Sequence, residues 1–330
     1  MRDGGLLGWA TDAMVKLDDA EPGVLARVLT AAPARRQAIF AALAALEEKA
    51  GVIDVGVELF PASFAEVVRH GRAADILRHA FVDVPQGLLG LLERVGEKPL
   101  PRAKDYIALH ALAESDDGRG ADALRGSGRI TCRKLEVLAA LDPRWRHANT
   151  LERLDTGVEA MRFNSAVEFI QSVNTKATDG VVADAIARMS RSSSLPKLLD
   201  RFLRRADRLP PHPIQQCDNE LRAVATTQSL LTVGRKYMNC LPHRLSEIAA
   251  GKMAIAEFRD ECLVEFRPLT LGAGWMLRDV HIQRNNFVPA ALVAEVERKC
   301  DSLGIPRIEE AAGGKAWKDY RRFTRELEWG

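Results

Sequence analysis

The chain has 330 residues, of which 47% are hydrophobic and 28% are charged, with 47 lysines and arginines against 45 aspartates and glutamates. This composition is typical of folded domains and excludes a wholly disordered chain. The net charge of only +2 argues against a generic polycationic nucleic-acid binder, whose surface would be strongly basic.

Residues 1–190 are predicted to form a helical domain. Apolar residues recur there at helical spacing in segments that glycine or proline ends, among them 34–50, 86–95, 104–112 and 132–141. A solenoid-like array and a compact bundle both fit this pattern. The glycine-rich segment 115–128 is predicted to be a loop and a subdomain break. The helices are expected to offer a surface to a protein partner.

A basic helix followed by a proline-rich connector is predicted over 191–213. Apolar residues between 195 and 209 form one helical stripe. The remaining faces carry the arginines that we expect to contact DNA or RNA, namely Arg201, Arg204, Arg205 and Arg208. The alternative is an ordinary solvated face, because arginine stems also cover apolar surface. Prolines at 210, 211 and 213 favour an extended connector, so the domain junction is expected here.

After residue 213 the apolar spacing changes from helical to partly alternating. The pattern predicts helices over 221–236, 242–250 and 289–303, and three strands over 253–259, 262–267 and 275–283. The domain over 214–305 is then followed by a basic, aromatic tail over 306–330. The predicted fold class is mainly α, with an N-terminal helical array or bundle followed by a small α+β domain with an antiparallel β-meander.

The two parts of the chain differ in charge. Residues 181–330 hold 24 basic and 19 acidic side chains, a net charge of +5, whereas residues 1–180 have a net charge of −3. The C-terminal part is therefore the part expected to meet a polyanion, and Arg284 joins the predicted nucleic-acid contacts.

Cysteine usage and apolar segments indicate the compartment. The five cysteines are scattered and form no C-x-x-C pair, so we expect neither a disulfide scaffold nor a zinc site, and no other cofactor. The longest apolar run, 38–46, is far shorter than the ~20 residues that a membrane span needs. The N-terminal segment lacks the long apolar core of a secretory signal. A cytoplasmic protein without a membrane partner is expected.

Candidate site residues lie in two segments of the C-terminal domain. Cys240 precedes a helix start, where a thiol pKa can be lowered, and His281 is an imidazole that could act as its base. Alternate residues of a strand share a face, so Asp279, His281 and Gln283 are expected to project together. Asn239 is placed beside Cys240, and Asn286 is expected to close the pocket. If the protein is an enzyme, Cys240 and His281 are its catalytic residues.

Structural interpretations of the same residues stay open. A free cysteine is often a small buried hydrophobe, and a strand facing solvent carries the same polar alternation. A catalytic pair requires the sulfur within about 4 Å of the imidazole. A structural role instead requires Cys240 to be buried and Asn239 to hydrogen-bond backbone groups.

Over about residues 209–305 the chain resembles the PcfJ-like family. The resemblance rests on Leu230-Leu231-x-x-Gly234-Arg235, then Asn239-Cys240-Leu241, then Gly251 before a strand pair, and finally the segment from Trp275 to Asn286 that contains Gln283-Arg284-Asn285-Asn286. The chain departs from the family pattern at Asn239, where histidine is common, and at Asn285. The resemblance implies a C-terminal α+β domain and an association with bacterial mobile elements, and it assigns no particular reaction.

Three functions follow as hypotheses. The first is a non-enzymatic adaptor of a bacterial mobile-element or nucleic-acid-associated system. The second is a cysteine-dependent enzyme that uses Cys240 and His281. The third is a helical scaffold that binds only protein partners.

Overall fold

The computed structural model describes residues 7–52, 62–115, 118–215 and 219–307. Of these residues 59% are helical, and the strands form one four-stranded antiparallel sheet near the C-terminus. The predicted fold class is therefore confirmed. The chain divides into two units, Met1–Phe169 with Ala177–Leu199, and Ile170–Lys176 with Asp200–Gly330. The predicted tail falls almost wholly on 308–330, outside the described residues.

Thirteen of the described helices precede the sheet. They are α1 (Thr11–Ala20), α2 (Val24–Leu29), α3 (Pro33–Val52), α4 (Ala62–His70), α5 (Ala73–Ala80), α6 (Leu88–Glu93), α7 (Ala103–Glu114), α8 (Arg119–Gly126), α9 (Cys132–Ala140), α10 (Ala148–Leu151), α11 (Gly157–Val173), α12 (Asp179–Ala187) and α13 (Leu195–Leu203).

Helix α3 is the centre of the first unit. Its residues 38–45 are all buried, and it packs against α5, α6 and α7. Its buried polar residue Gln37 donates to the carbonyls of Gly96 (2.8 Å) and Lys98 (2.9 Å) and accepts from the Tyr106 hydroxyl. A helix that is apolar on all faces must be surrounded. This part of the unit is therefore a bundle around α3, and not a linear array in which each repeat contacts only its neighbours.

The loop predicted over 115–128 is wrong, because most of this segment is helix α8. Its glycines permit close packing. A Cβ at Gly120 would lie 2.8 Å from Leu112 of α7, and a Cβ at Gly126 would lie 2.8 Å from Ala148 of α10. Because real Cβ atoms do not approach so closely, α8 packs against both helices only with glycine at these two positions.

The second unit contains the sheet, in the order β1 (Leu221–Ala223), β2 (Ala254–Phe258), β3 (Cys262–Pro268) and β4 (Trp275–His281). The described helices that accompany it are α14 (Thr227–Lys236), α15 (Leu245–Ala249) and α16 (Ala290–Ser302). The three predicted strands and the helix over 289–303 are confirmed, and the meander gains β1 as a fourth strand.

The helix predicted over 221–236 is wrong at its start. Residues 221–223 pair with β2, Leu221 opposite Phe258 and Ala223 opposite Ala256. Helix α14 begins only after Thr226, whose side chain accepts a hydrogen bond from the backbone N–H of Ser229 in a capping box. Pairing with a strand about 35 residues away in sequence overrides the local helical pattern.

The two faces of the sheet have different partners. One face is apolar and packs against α16, with Phe258, Val264 and Phe266 of the sheet and Val296 and Cys300 of the helix all buried. The other face carries two buried carboxylates, Glu257 and Glu265. Buried carboxylates require partners, and the partners of Glu265 define the site described below.

Candidate functional site

Glu265 is the centre of a chain of charged side chains on the polar face of the sheet. It is only 5% exposed. Arg267 Nε donates to its Oε1 at 2.7 Å, and His281 Nε2 lies 3.2 Å from its Oε2. Arg267 also donates to Glu247 at 3.0 Å, and Glu247 accepts two bonds from Arg244 at 2.7 and 2.9 Å. Each carboxylate in this chain is thus compensated by an arginine.

A β-bulge brings His281 onto this face. Asp279 lies opposite Glu265 but Leu277 lies opposite Phe266, so Arg278 is an extra residue of β4. A bulge of this kind changes which side chains point to each face. Leu277 and Val280 are consequently both buried in the apolar core although they are three residues apart.

The ion pair between His281 and Glu265 shifts the pKa values of both side chains. The hydrogen bond to Glu265 raises the pKa of His281 above its ordinary value, aided by the charge of Asp279 and opposed by burial and by Arg244. Burial acts to raise the pKa of Glu265, but the hydrogen bond from His281 and the charge of Arg267 outweigh it and hold that pKa below its usual range. Both shifts favour the charged form of each partner.

The His281–Glu265 pair is expected to make stability pH-dependent. A histidine whose pKa is higher in the folded than in the unfolded protein contributes its full stabilisation below the unfolded pKa of about 6.5. That contribution to the free energy of unfolding is lost as pH rises through the pKa of the folded state. The difference in unfolding free energy between wild type and His281→Gln should therefore be largest near pH 6 and shrink toward pH 9. Urea denaturation across this range measures it, and an unchanging difference would contradict the assignment.

Gln283 lies outside the strand. Strand β4 ends at His281, and Gln283 begins a 3-10 turn, Gln283–Asn285. The prediction that Gln283 shares a strand face with Asp279 and His281 is therefore wrong. Asp279 is exposed, and its Oδ1 accepts a bond from the backbone N–H of Val280 at 2.9 Å.

Cys240 and Asn239 lie just after α14. Cys240 is exposed and precedes the 3-10 turn Leu241–Arg244, while Asn239 Oδ1 accepts a bond from the backbone N–H of Leu241 at 3.1 Å. The turn packs tightly on α14, since a Cβ at Gly234 would lie 2.7 Å from Pro242. The exposure of Cys240 agrees with the catalytic interpretation, whereas the backbone bond of Asn239 agrees with the structural one.

Among the described residues, no hydrogen bond joins the Cys240 thiol to His281, whose Nε2 faces Glu265. The charge of Arg244 acts to lower the pKa of His281, against the effect of Glu265. The sequence prediction of a direct catalytic pair therefore stays a prediction, while the contacts favour a histidine held by its carboxylate.

Iodoacetamide labelling of the native protein is expected to modify Cys240 well before Cys262 and Cys300. Burial raises the pKa of Cys262 to about 12 and that of Cys300 to about 11, and both thiols lie in the apolar core. Because His281 faces Glu265, His281→Gln should leave the Cys240 rate within about twofold of the wild-type rate. Mass spectrometry of the modified peptides measures it, and a rate lowered about tenfold would instead support the catalytic pair.

Two loops meet beside this cluster, and we call residues 238–240 and 283–287 the paired loops. The backbone N–H of Arg284 donates to the carbonyl of Tyr237 at 2.8 Å, which fixes the second loop against the end of α14. Met238, Arg284 and Asn285 have positive φ values of 48°, 58° and 51°. Such backbone conformations in non-glycine residues cluster at functional sites.

The paired loops contain most of the predicted pocket and two side chains that the sequence analysis missed. Asn239 and Cys240 lie on the first loop, and Gln283, Arg284 and Asn286 on the second. The missed residues are Met238, 49% exposed, and Phe287, 72% exposed. Phe287 directly follows Asn286, which was predicted to close the pocket. A large aromatic residue next to several amide residues is the sequence feature that could have indicated Phe287.

The predicted basic segment is a shorter helix than expected. Helix α13 ends at Leu203, because the chain then turns and the backbone N–H groups of Asp207 and Arg208 donate to the carbonyl of Val173. Its four arginines are all exposed, and among them only Arg204 forms an ion pair within the described residues, with Asp200 at 2.8 Å. The predicted arginines are therefore accessible, although only Arg201 is on the helix itself.

Within the described ranges, no three His, Cys, Asp or Glu side chains are placed to hold a metal ion. None of the described helices combines the length and apolarity needed to cross a membrane. Comparisons with protein-family models, with curated proteins and with solved structures found no match to the chain.

Proposed function

We propose that the protein is a non-enzymatic adaptor of a nucleic-acid-associated system and that its C-terminal unit binds DNA or RNA. The observation that carries the proposal is the arginine segment, in which Arg201, Arg205 and Arg208 are exposed and form no side-chain bond to other described residues. An unpaired guanidinium can contact a phosphate without first breaking an ion pair.

The sequence resemblance extends the proposal to the kind of system. Residues 209–305 resemble the PcfJ-like family, and on that resemblance alone we propose that the adaptor serves a bacterial mobile element. We place it in the cytoplasm. The free thiols of Cys132, Cys240, Cys262 and Cys300 suit a reducing compartment.

Fluorescence anisotropy with labelled DNA and RNA oligonucleotides tests the proposal on the full chain. Binding should be measurable at low salt, and the logarithm of its association constant should fall linearly with the logarithm of salt concentration. The absence of binding at low salt, or binding that does not change with salt, would overturn the proposal.

A cysteine-dependent enzyme is the second candidate, and a specific observation favours it. The Cys240 thiol is exposed and therefore accessible to a substrate. The labelling rate of the His281→Gln variant described above distinguishes this candidate from the adaptor.

A protein-binding surface on the first unit is the third candidate. Val158 and Met161 are 52% and 54% exposed and lie one turn apart on α11. Neighbouring exposed apolar residues can mark an interaction site. Such a surface is compatible with the adaptor, which needs a protein partner as well as a nucleic acid.

A further inference from the structure

We propose that the paired loops bind unpaired nucleotides, with one base stacked on Phe287 and the adjacent phosphates held by Arg284 and Arg235. This inference rests on the proposed function and names the substrate class, a single strand. It is argued from the paired loops, whereas the proposal that the C-terminal unit binds DNA or RNA was argued from the arginine segment.

The exposure of Phe287 is the first observation. Its side chain is 72% exposed, whereas Phe258 and Phe266 of the same unit are 1% and 0% exposed. An aromatic ring exposed to water lacks the roughly 1.5–3 kcal/mol of stabilising free energy that its burial would contribute. Met238, 49% exposed on the other loop, adds a second apolar side chain on the same pair of loops.

The fixed backbone is the second observation. Met238 and Arg284 adopt left-handed conformations that cost non-glycine residues on the order of 1–3 kcal/mol each. The hydrogen bond from the backbone N–H of Arg284 to the carbonyl of Tyr237 holds the second loop against the residue that directly precedes the first loop. A site already held in one conformation binds its ligand with a smaller loss of entropy.

The polar groups determine the kind of ligand. Arg284 and Arg235, in the last turn of α14, are exposed, and neither makes a side-chain bond to another described residue. Of two exposed acids near these arginines, Asp279 lies at the end of β4, and Asp260 is already paired with Lys236 at 2.7 Å. The amides of Gln283, Asn285 and Asn286 are also exposed.

This combination of groups matches single-stranded nucleic acid. Unpaired bases stack on aromatic rings, amides read their edges, and arginines contact their phosphates. Bases within a duplex are already stacked and paired, so an exposed phenyl ring has no base face to contact there. The paired loops therefore favour a single strand over the duplex of the same sequence.

The test measures anisotropy of the full chain with a labelled single strand and with its duplex. Phe287→Leu keeps an apolar side chain and removes the aromatic face, and it should weaken single-strand binding about 5- to 150-fold. Phe287→Trp should bind as tightly as wild type, and duplex binding should be unchanged by either variant. Leu303→Ala, an exposed apolar position of the same unit, is the matched control and should have no effect.

Distinct results separate this inference from the proposed function. Salt-dependent binding that Phe287→Leu does not weaken overturns stacking and leaves the proposed function intact. Equal losses for Phe287→Leu and Phe287→Trp, or equal losses for single strand and duplex, also overturn stacking. Binding of neither oligonucleotide by the wild-type chain overturns both proposals. Circular dichroism and urea denaturation confirm that each variant is folded before it is compared.

Discussion

Phe266→Ala is expected to lower the free energy of unfolding of the C-terminal unit by about 3–5 kcal/mol. Phe266 is 0% exposed and lies in the core between the sheet and α16. Removing its ring leaves a cavity, because the strands on both sides of β3 are held by backbone pairing and cannot close on it. Urea denaturation followed by circular dichroism measures the loss.

Phe287→Ala is the matched control, since it is the same substitution in the same unit at a 72% exposed position. It should change the free energy of unfolding by no more than about 0.5 kcal/mol. Equal destabilisation by the two variants would contradict the placement of the core. It would also show that Phe287 supports the fold, which would weaken its assignment as a binding residue.

Replacing Arg201, Arg204, Arg205 and Arg208 together with glutamine should reduce nucleic-acid affinity at least about tenfold at low salt. Each phosphate contact on a single strand contributes about 0.7 to the slope of log K against log salt, so four contacts account for a decrease of about 3. Titrations by anisotropy at several salt concentrations measure both quantities.

A variant with the same change in net charge controls for long-range attraction. It replaces four exposed arginines of the first unit with glutamine, namely Arg27, Arg162, Arg188 and Arg191. If the arginine segment contacts phosphates, this control should keep most of the slope of log K against log salt. Equal losses in the two variants would mean that net charge alone governs binding, and the segment would then have no specific role.

The helices and the meander were predictable because their patterns are local. Helix α16 has apolar residues at helical spacing between Pro289 and Gly304, and three of the four strands alternate or run apolar between short turns. Strand β1 was not predictable in this way. Its three residues have no strand pattern of their own, and they are extended because β2 pairs with them.

The centre of the candidate site depends on contacts that local patterns do not contain. Glu257 and Glu265 occupy alternating positions of predicted strands and could equally have faced solvent. They are buried because partners from distant segments cover them, Tyr237 donating to Glu257 at 3.0 Å and His281 pairing with Glu265. The bulge at Arg278, which decides where His281 faces, also has no sequence signature here.

The bulge and the last described residues have a consequence for self-association. A sheet edge with free backbone donors and acceptors can pair with another molecule and begin an aggregate. At the outer edge of β4, the N–H of Leu277 donates to the carbonyl of Pro306, and the bulge with its charged neighbours Arg278 and Asp279 interrupts the regular edge. The opposite edge strand, β1, is only three residues long. Both edges of the sheet are therefore poorly suited to pairing with a strand of another molecule.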